Sequence, residues 1–164
     1  MRGVTFSEFG NGQNVDMFVQ APDVIPRTPI LEAVETAKKI RQKFTKDLYV
    51  WCDYSVQHMY SQIAMQGFKM AGIDFVAAIP VLSDNLSKRE NDCTIAYCEA
   101  RGIKYELFHI DVPALFDGPE FLYWGENFPT TQPQMTIVGK FFDLLPDCCI
   151  VYPGFMAHVS NSDW

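Results

Sequence analysis

Between residues 28 and 153 the apolar positions switch repeatedly between two periods, that of a helix and that of a covered strand. Ile30, Ala33, Val34, Ala37, Ile40 and Phe44 form a helical stripe. Thr28 is placed to cap it, with Pro29 at the first helical position. Glu32 and Glu35 suit the positive end of that helix, and Lys38, Lys39, Arg41 and Lys43 suit its negative end. Leu48 to Cys52 then reads as a short buried strand. Tyr60, Ile63, Ala64, Gly67, Phe68 and Ala71 mark a second helix from about Met59 to Ala71, with Gly72 as its left-handed cap. The nearly all-apolar run Ile73–Ile79 suits a parallel strand covered on both faces, ended by Pro80 and Ser83-Asp84-Asn85.

The same unit repeats. A third helix is expected from Ser87 to Ala100, with Ile95 and Cys98 inward and Gly102 as its cap. The third strand, Ile103–Ile110, alternates with Lys104 and Glu106 outward, the pattern of a strand nearer an edge. Residues 111–116 read as a short helical turn. Residues 117–133 read as a long irregular loop, because Gly118, Pro119, Gly125, Pro129 and Pro133 interrupt them. A helix from Gln134 to Leu145 and a strand from Cys148 to Tyr152 complete the series. Helix and strand alternation of this kind implies an α/β domain with three layers, doubly wound: a mainly parallel sheet with helices on both faces. The expected organisation is an N-terminal arm or hairpin over residues 1–27, one α/β domain over 28–159 and a polar tail over 160–164. In the arm, Val4–Phe6 and Val15–Val19 flank Gly10-Asn11-Gly12, a hairpin signal.

Length changes little in this picture, since 164 residues suit one core. Charge changes more. Thirteen basic against 20 acidic residues give −7, which argues against nonspecific nucleic-acid binding. No apolar run approaches the ~20 residues that span a bilayer. Glu8, Gly10, Asn11, Gly12 and Asp16 stand where a signal peptide needs an apolar core, so a cytoplasmic location is expected. Cys52, Cys93, Cys98, Cys148 and Cys149 form no C-x-x-C pair, and His58, His109 and His158 are scattered. Free thiols packed as small hydrophobes fit better than a zinc site. Cys148 and Cys149 are neighbours in a strand and so point to opposite faces.

In a doubly wound sheet a ligand binds beyond the carboxyl ends of the strands, where the winding reverses. That rule selects the turns at 53–61, 80–87 and 152–158. Asp53 and Asp84 stand where a Mg²⁺-phosphate site would want carboxylates, or else serve as turn and cap residues. Lys88 and Arg89 can pair with phosphate, or simply open a solvated helix. His58 can contact a ligand or cap the turn. The aromatic group Phe121, Tyr123, Trp124 and Phe128 can stack on a base, bind a partner, or close over the domain's own core.

Several stretches together resemble the adenine-nucleotide alpha-hydrolase, or PP-loop ATP pyrophosphatase, superfamily. The similar branch is the phosphoadenosine-phosphosulfate-reductase-like one, including small bacteriophage members. The resemblance rests on Thr36-Ala37-Lys38-Lys39-Ile40 before the first strand and Phe68-Lys69-Met70-Ala71-Gly72-Ile73-Asp74-Phe75 after the second helix. It continues through Leu86-Ser87, Glu90, Ile95-Ala96-Tyr97-Cys98, Gly102-Ile103-Lys104-Tyr105 and His109-Ile110-Asp111-Val112. Thr131-Gln132-Pro133-Gln134 and Ile150-Val151-Tyr152-Pro153-Gly154 extend it, so that it covers about residues 30–155. It implies a HUP, Rossmann-like fold that takes ATP or a related adenine nucleotide with Mg²⁺.

The family's phosphate loop, Ser-Gly-Gly-x-Asp-Ser, falls on Val56-Gln57-His58-Met59-Tyr60-Ser61, where only the last serine agrees. Glycines let backbone N–H groups approach phosphate closely, and Gln57 and His58 put side chains into that space. Tyr60 cannot serve Mg²⁺ as a carboxylate does. The helix N-terminus still offers donors to an anion. Ser55, Gln57, His58, Ser61, Ser83 and Gly154 are therefore the candidate nucleotide contacts, and Phe121, Tyr123, Trp124 and Phe128 the candidate partner surface. No catalytic or metal-ligating residue is assigned. The resemblance implies a catalytically degenerate PP-loop-type domain of viral origin, in the host cytoplasm, that binds a host protein or a nucleotide. An active ATP pyrophosphatase, adenylyl- or sulfur-transfer enzyme is the first alternative. A self-associating structural subunit is the second.

Overall fold

The computed structural model describes residues 2–9, 13–19, 28–52, 59–83, 86–127 and 134–153. Two strands, β1 (Arg2–Phe9) and β2 (Gln13–Val19), pair antiparallel with Arg2 opposite Val19 and an irregularity between Phe6 and Phe9. They form a sheet of their own, and both strands are longer than the apolar cores Val4–Phe6 and Val15–Val19 suggested; the turn expected at Gly10-Asn11-Gly12 lies outside the described residues.

The rest is an α/β unit in three layers. Its elements are α1 (Pro29–Lys43), β3 (Leu48–Trp51), α2 (Met59–Met70), β4 (Val76–Leu82), α3 (Lys88–Arg101) and β5 (Tyr105–Ile110). Then follow α4 (Val112–Asp117), α5 (Pro119–Asn127), α6 (Gln134–Leu144) and β6 (Cys149–Val151). The four strands run parallel in the order β5-β4-β3-β6.

Alternation along each strand builds two cores. Leu48, Val50 and Cys52 face one way and meet Ala37 of α1, Met65 and Phe68 of α2 and Cys98 of α3. Tyr49 and Trp51 face the other way and meet Leu115 of α4 and Ile137, Val138 and Phe141 of α6. All four residues of β3 are buried, as a strand covered on both faces requires. Cys149 and Cys148 divide between the same two cores, the opposite orientation expected of neighbours in an extended chain.

Backbone geometry explains the boundaries. Thr28 precedes α1 without a side-chain cap, and its carbonyl accepts from Leu31 and Glu32. At the other end the Arg41 guanidinium donates to the carbonyls of Phe44, Thr45 and Lys46, which folds the link into β3. Gly72 and Gly102 have φ of 68° and 60°, the left-handed conformation that ends α2 and α3 where glycine was expected to end them.

Three expectations shift. The second strand starts and ends later than its apolar run, and Pro80 lies inside it, buried. Ala77 N–H donates to Lys104 on the β5 side, whereas Ala78 O accepts from Cys52 on the β3 side. Pro80 therefore turns its nitrogen toward β3, whose pairing has already ended at Trp51 and Ala78, and no ladder bond is lost. Residues 119–127 are helix α5, where irregular loop was expected. Gly118 and Pro119 break the preceding helix and open the next, with Glu120 in the first turn. Finally, the buried face of α3 is Ser87, Asn91, Thr94 and Cys98, while Ile95 packs only partly.

Candidate functional site

The connections place β4 and β6, distant from each other in sequence, on opposite sides of β3. The chain winds outward through β4 to β5, then returns past α4, α5 and α6 to place β6 on the other side of β3. The carboxyl ends of β3 and β6 are thus the point where the winding reverses, the place where open α/β sheets hold ligands. Of the nucleotide candidates, Ser55, Gln57, His58 and Gly154 lie outside the described residues, as do Asp53 and Asp84.

Two candidates are described. Ser61 sits in the first turns of α2, after β3, and is 2 % exposed. Ser83 follows β4, and its Oγ accepts from Val112 N–H at 2.9 Å. That bond ties the end of β4 to the start of α4, where Asp111 accepts from Ala114 N–H. Parallel packing puts both serines at the carboxyl side of adjacent strands. Ser83 therefore has a structural task of its own.

Beside it lies a polar cluster that the sequence reading passed over. Ser87 Oγ accepts from Leu82 N–H at 3.2 Å and from Asn91 Nδ2 at 2.9 Å. Ser87 and Asn91 are both buried. The signal was available as a Ser and an Asn four residues apart at the start of a helix, on one face. On the opposite face of the sheet, Trp51 is 2 % exposed, and its Nε1–H is buried without a hydrogen-bond partner among the described residues. Its ring meets Phe141 at 4.6 Å, Tyr152 at 5.2 Å and Phe142 at 5.5 Å. Tyr152, just past β6, is partly exposed and closes this aromatic group at the reversal point.

The charged candidates at the start of α3 are solvated. Lys88 pairs with Asp92 at 2.7 Å, four residues along the same helix, and both are well exposed. Arg89 is also exposed. Among the partner-surface candidates, Phe121 turns inward and packs on Phe116 with ring centroids 4.9 Å apart. Tyr123 is 57 % exposed, and its neighbour Leu122 is 67 % exposed. Trp124 lies in α5, though its side chain is outside the described residues, and so is the whole of Phe128. Lys140 of α6 holds Glu120 of α5 at 2.8 Å and fixes that helix to the domain.

A cavity of about 1020 Å³ opens at the other end of the sheet, lined among others by Leu48, Val76 and Lys104. There the C-terminal ends of α1, α2 and α3 converge, bringing the negative ends of three helix dipoles together. Two of its cations are committed to carbonyls: Arg41 to the link after α1, and Lys69 to Arg101 O. Burial and the Glu106 carboxylate, which accepts the Tyr49 hydroxyl at 3.2 Å, raise the Tyr49 phenol above its usual range. Such surroundings oppose a phosphate. An anion is better served at the carboxyl end, where helices begin.

The described residues contain no cluster of three or more His, Cys, Asp or Glu side chains that could hold a metal ion. Among them, no helix is long and apolar enough to cross a membrane. The described residues form a three-layer, Rossmann-like α/β domain in which the winding of a four-stranded parallel sheet reverses between β3 and β6. No family model matches the sequence, and no curated protein matches it.

Proposed function

We propose that this chain is a binding domain of the PP-loop type in which catalysis has been lost, and that it holds an adenine nucleotide at the carboxyl ends of β3, β4 and β6. The observation that carries this reading is the strand order β5-β4-β3-β6. It puts the carboxyl end of β3 and the start of α2, the elements that flank the phosphate loop in the resembled family, at the point of reversal. The amino-terminal ends of α2 and α3 lie at the same end of the sheet, which favours an anion there. Loss of catalysis is read from the sequence: Gln57, His58 and Tyr60 replace the two glycines and the aspartate of the family loop.

Calorimetric titration of ATP and AMP, each with and without Mg²⁺, tests the reading. Binding at micromolar levels without release of pyrophosphate is expected. No binding at millimolar nucleotide refutes the assignment. The triple variant Gln57→Gly, His58→Gly, Tyr60→Asp should bind ATP more tightly than the native chain. Should native and triple variant both ignore nucleotides, the cleft assignment is wrong.

A second reading is favoured by one observation. Leu122 and Tyr123 are neighbouring, strongly exposed side chains on α5, a helix anchored by Phe121 and Glu120. Exposed apolar side chains on a fixed element suit a protein partner, as in a bacteriophage protein that engages a host protein. Loss of partner capture on Leu122→Lys, with nucleotide titration unchanged, would favour it.

A further inference from the structure

We propose that β5 is a self-complementary edge through which two copies of the chain join, antiparallel about a two-fold axis at Leu107, into one continuous sheet. This stands independently of the nucleotide reading. Among the described residues β5 is an outer strand, paired with β4 from Tyr105 to Ile110 without a break. It is the longer of the two outer strands, six residues against three in β6.

Its backbone orientation follows from one bond. Lys104 O accepts from Ala77 N–H at 2.9 Å, so the even-numbered residues of this stretch direct their backbone groups at β4. Tyr105, Leu107 and His109 direct theirs outward. An edge strand that carries such a row usually also carries a guard: a proline, a bulge or a lysine in its middle. Residues 105–110 have none of these. The one carboxylate in the stretch, Glu106, is drawn back across the sheet by the Tyr49 hydroxyl.

The occupant is chosen by the register. A two-fold axis perpendicular to the sheet makes the added strand antiparallel. Centred on Leu107, it sets Leu107 against Leu107, Tyr105 against His109 and Glu106 against Phe108 of the second copy. Lys104 then meets Ile110, so no like charges stand opposite each other. The outward-directed residues fall on hydrogen-bonded pairs, which gives about six new backbone bonds. Leu107, 41 % exposed in the single chain, gains an apolar neighbour at the axis.

Light scattering on the full chain tests the pairing. At about 100 µM, a loading that populates complexes of micromolar Kd, the expected mass is twice the chain's 18.7 kDa. Leu107→Lys puts like charges opposite at the axis and should weaken the dimer by 10-fold or more, about 1.4 kcal/mol. A second measurement does not depend on how that variant folds. In a Cys93→Ser background, Leu107→Cys places two thiols on Cα atoms about 5.5 Å apart, within disulfide reach. His109→Cys places them four residues apart along the paired strands, out of reach. Oxidised glutathione should link the first variant into a covalent dimer and leave the second as single chains. A monomer at this loading overturns the proposal, whether the edge is taken by another segment of the chain or by a different partner. A dimer in which Leu107→Cys links no faster than His109→Cys overturns it as well.

Discussion

Replacing Gly67 by alanine tests how the helical layer on one face of the sheet is assembled. Gly67 lies in the middle of α2 and faces α1. A Cβ there would stand 2.7 Å from Ala33 Cβ, 2.8 Å from Ala33 C and 2.9 Å from Ala33 O. Carbon atoms at rest keep about 3.5 Å or more, so α1 would have to retreat by about 0.8 Å. Two of the three obstructing atoms are backbone, so no rotamer change relieves them. Retreat would loosen Ala37, 0 % exposed, and Ile40, both packed in the core beneath α1.

Against this stands the intrinsic preference of a helix interior for alanine over glycine, about 1 kcal/mol. Overpacking costs about 1–3 kcal/mol, and obstruction by two backbone atoms puts this case at about 2–3 kcal/mol, so a net loss of about 1–2 kcal/mol is expected. For a chain of this length that lowers Tm by roughly 2–8 °C. Urea unfolding followed by circular dichroism reads the loss as a lower midpoint at unchanged slope. The pairing variant Ala33→Gly, Gly67→Ala should recover little. It removes the contact at Ala33 Cβ but keeps those at Ala33 C and O. A Gly67→Ala chain more stable than the native one would show that α1 and α2 do not pack this closely.

Other outcomes follow from the buried polar and thiol groups. Ser87→Ala removes the acceptor for Leu82 N–H and Asn91 Nδ2, and should cost about 1–3 kcal/mol in the same urea assay. Burial pushes the Cys98 thiol up to about 11 from 9.0. The folded chain therefore holds that proton more tightly than the unfolded chain does. This part of its stability is complete below pH 9 and is lost as pH rises from 9 toward 11. Cys98→Ala should flatten the decline across that window. In native chain at pH 8 a thiol reagent should label the exposed Cys93 and spare the buried Cys52 and Cys98 until the chain is unfolded.

Much of the element order was legible because it is local. Periods of 3.6 and of unbroken apolar residues are properties of ten or so neighbours. They fixed α1, α2, α3 and α6 and all four parallel strands to within a few residues. Gly72 and Gly102 could be placed as caps because a left-handed residue is costly for any other side chain. The alternation in Tyr105–Ile110 announced an outer strand, since a strand paired on one side has less to bury. Helix α5 was not legible. Gly118, Pro119 and Gly125 are breakers by propensity, and what holds the helix lies far along the chain, in the Glu120 to Lys140 pair, as well as in the ring contact of Phe121 with Phe116.

The candidate site divides in the same way. By itself the sequence determined that α and β alternate and that the sheet is parallel, and from these the carboxyl end follows as the end at which to look for a ligand. The rule needs only the handedness of the connections. Tertiary structure decided the strand order, and with it which carboxyl end is the reversal point. It decided that Pro80 lies within β4, because β3 ends one pair too early to need its N–H. It turned Ser83 into a tie to α4, and it made Ser87 and Asn91 the buried face of α3. Those outcomes depend on where a backbone donor left over by one element finds an acceptor on another. Such a match is set by the distance between elements, which no window of neighbouring residues contains.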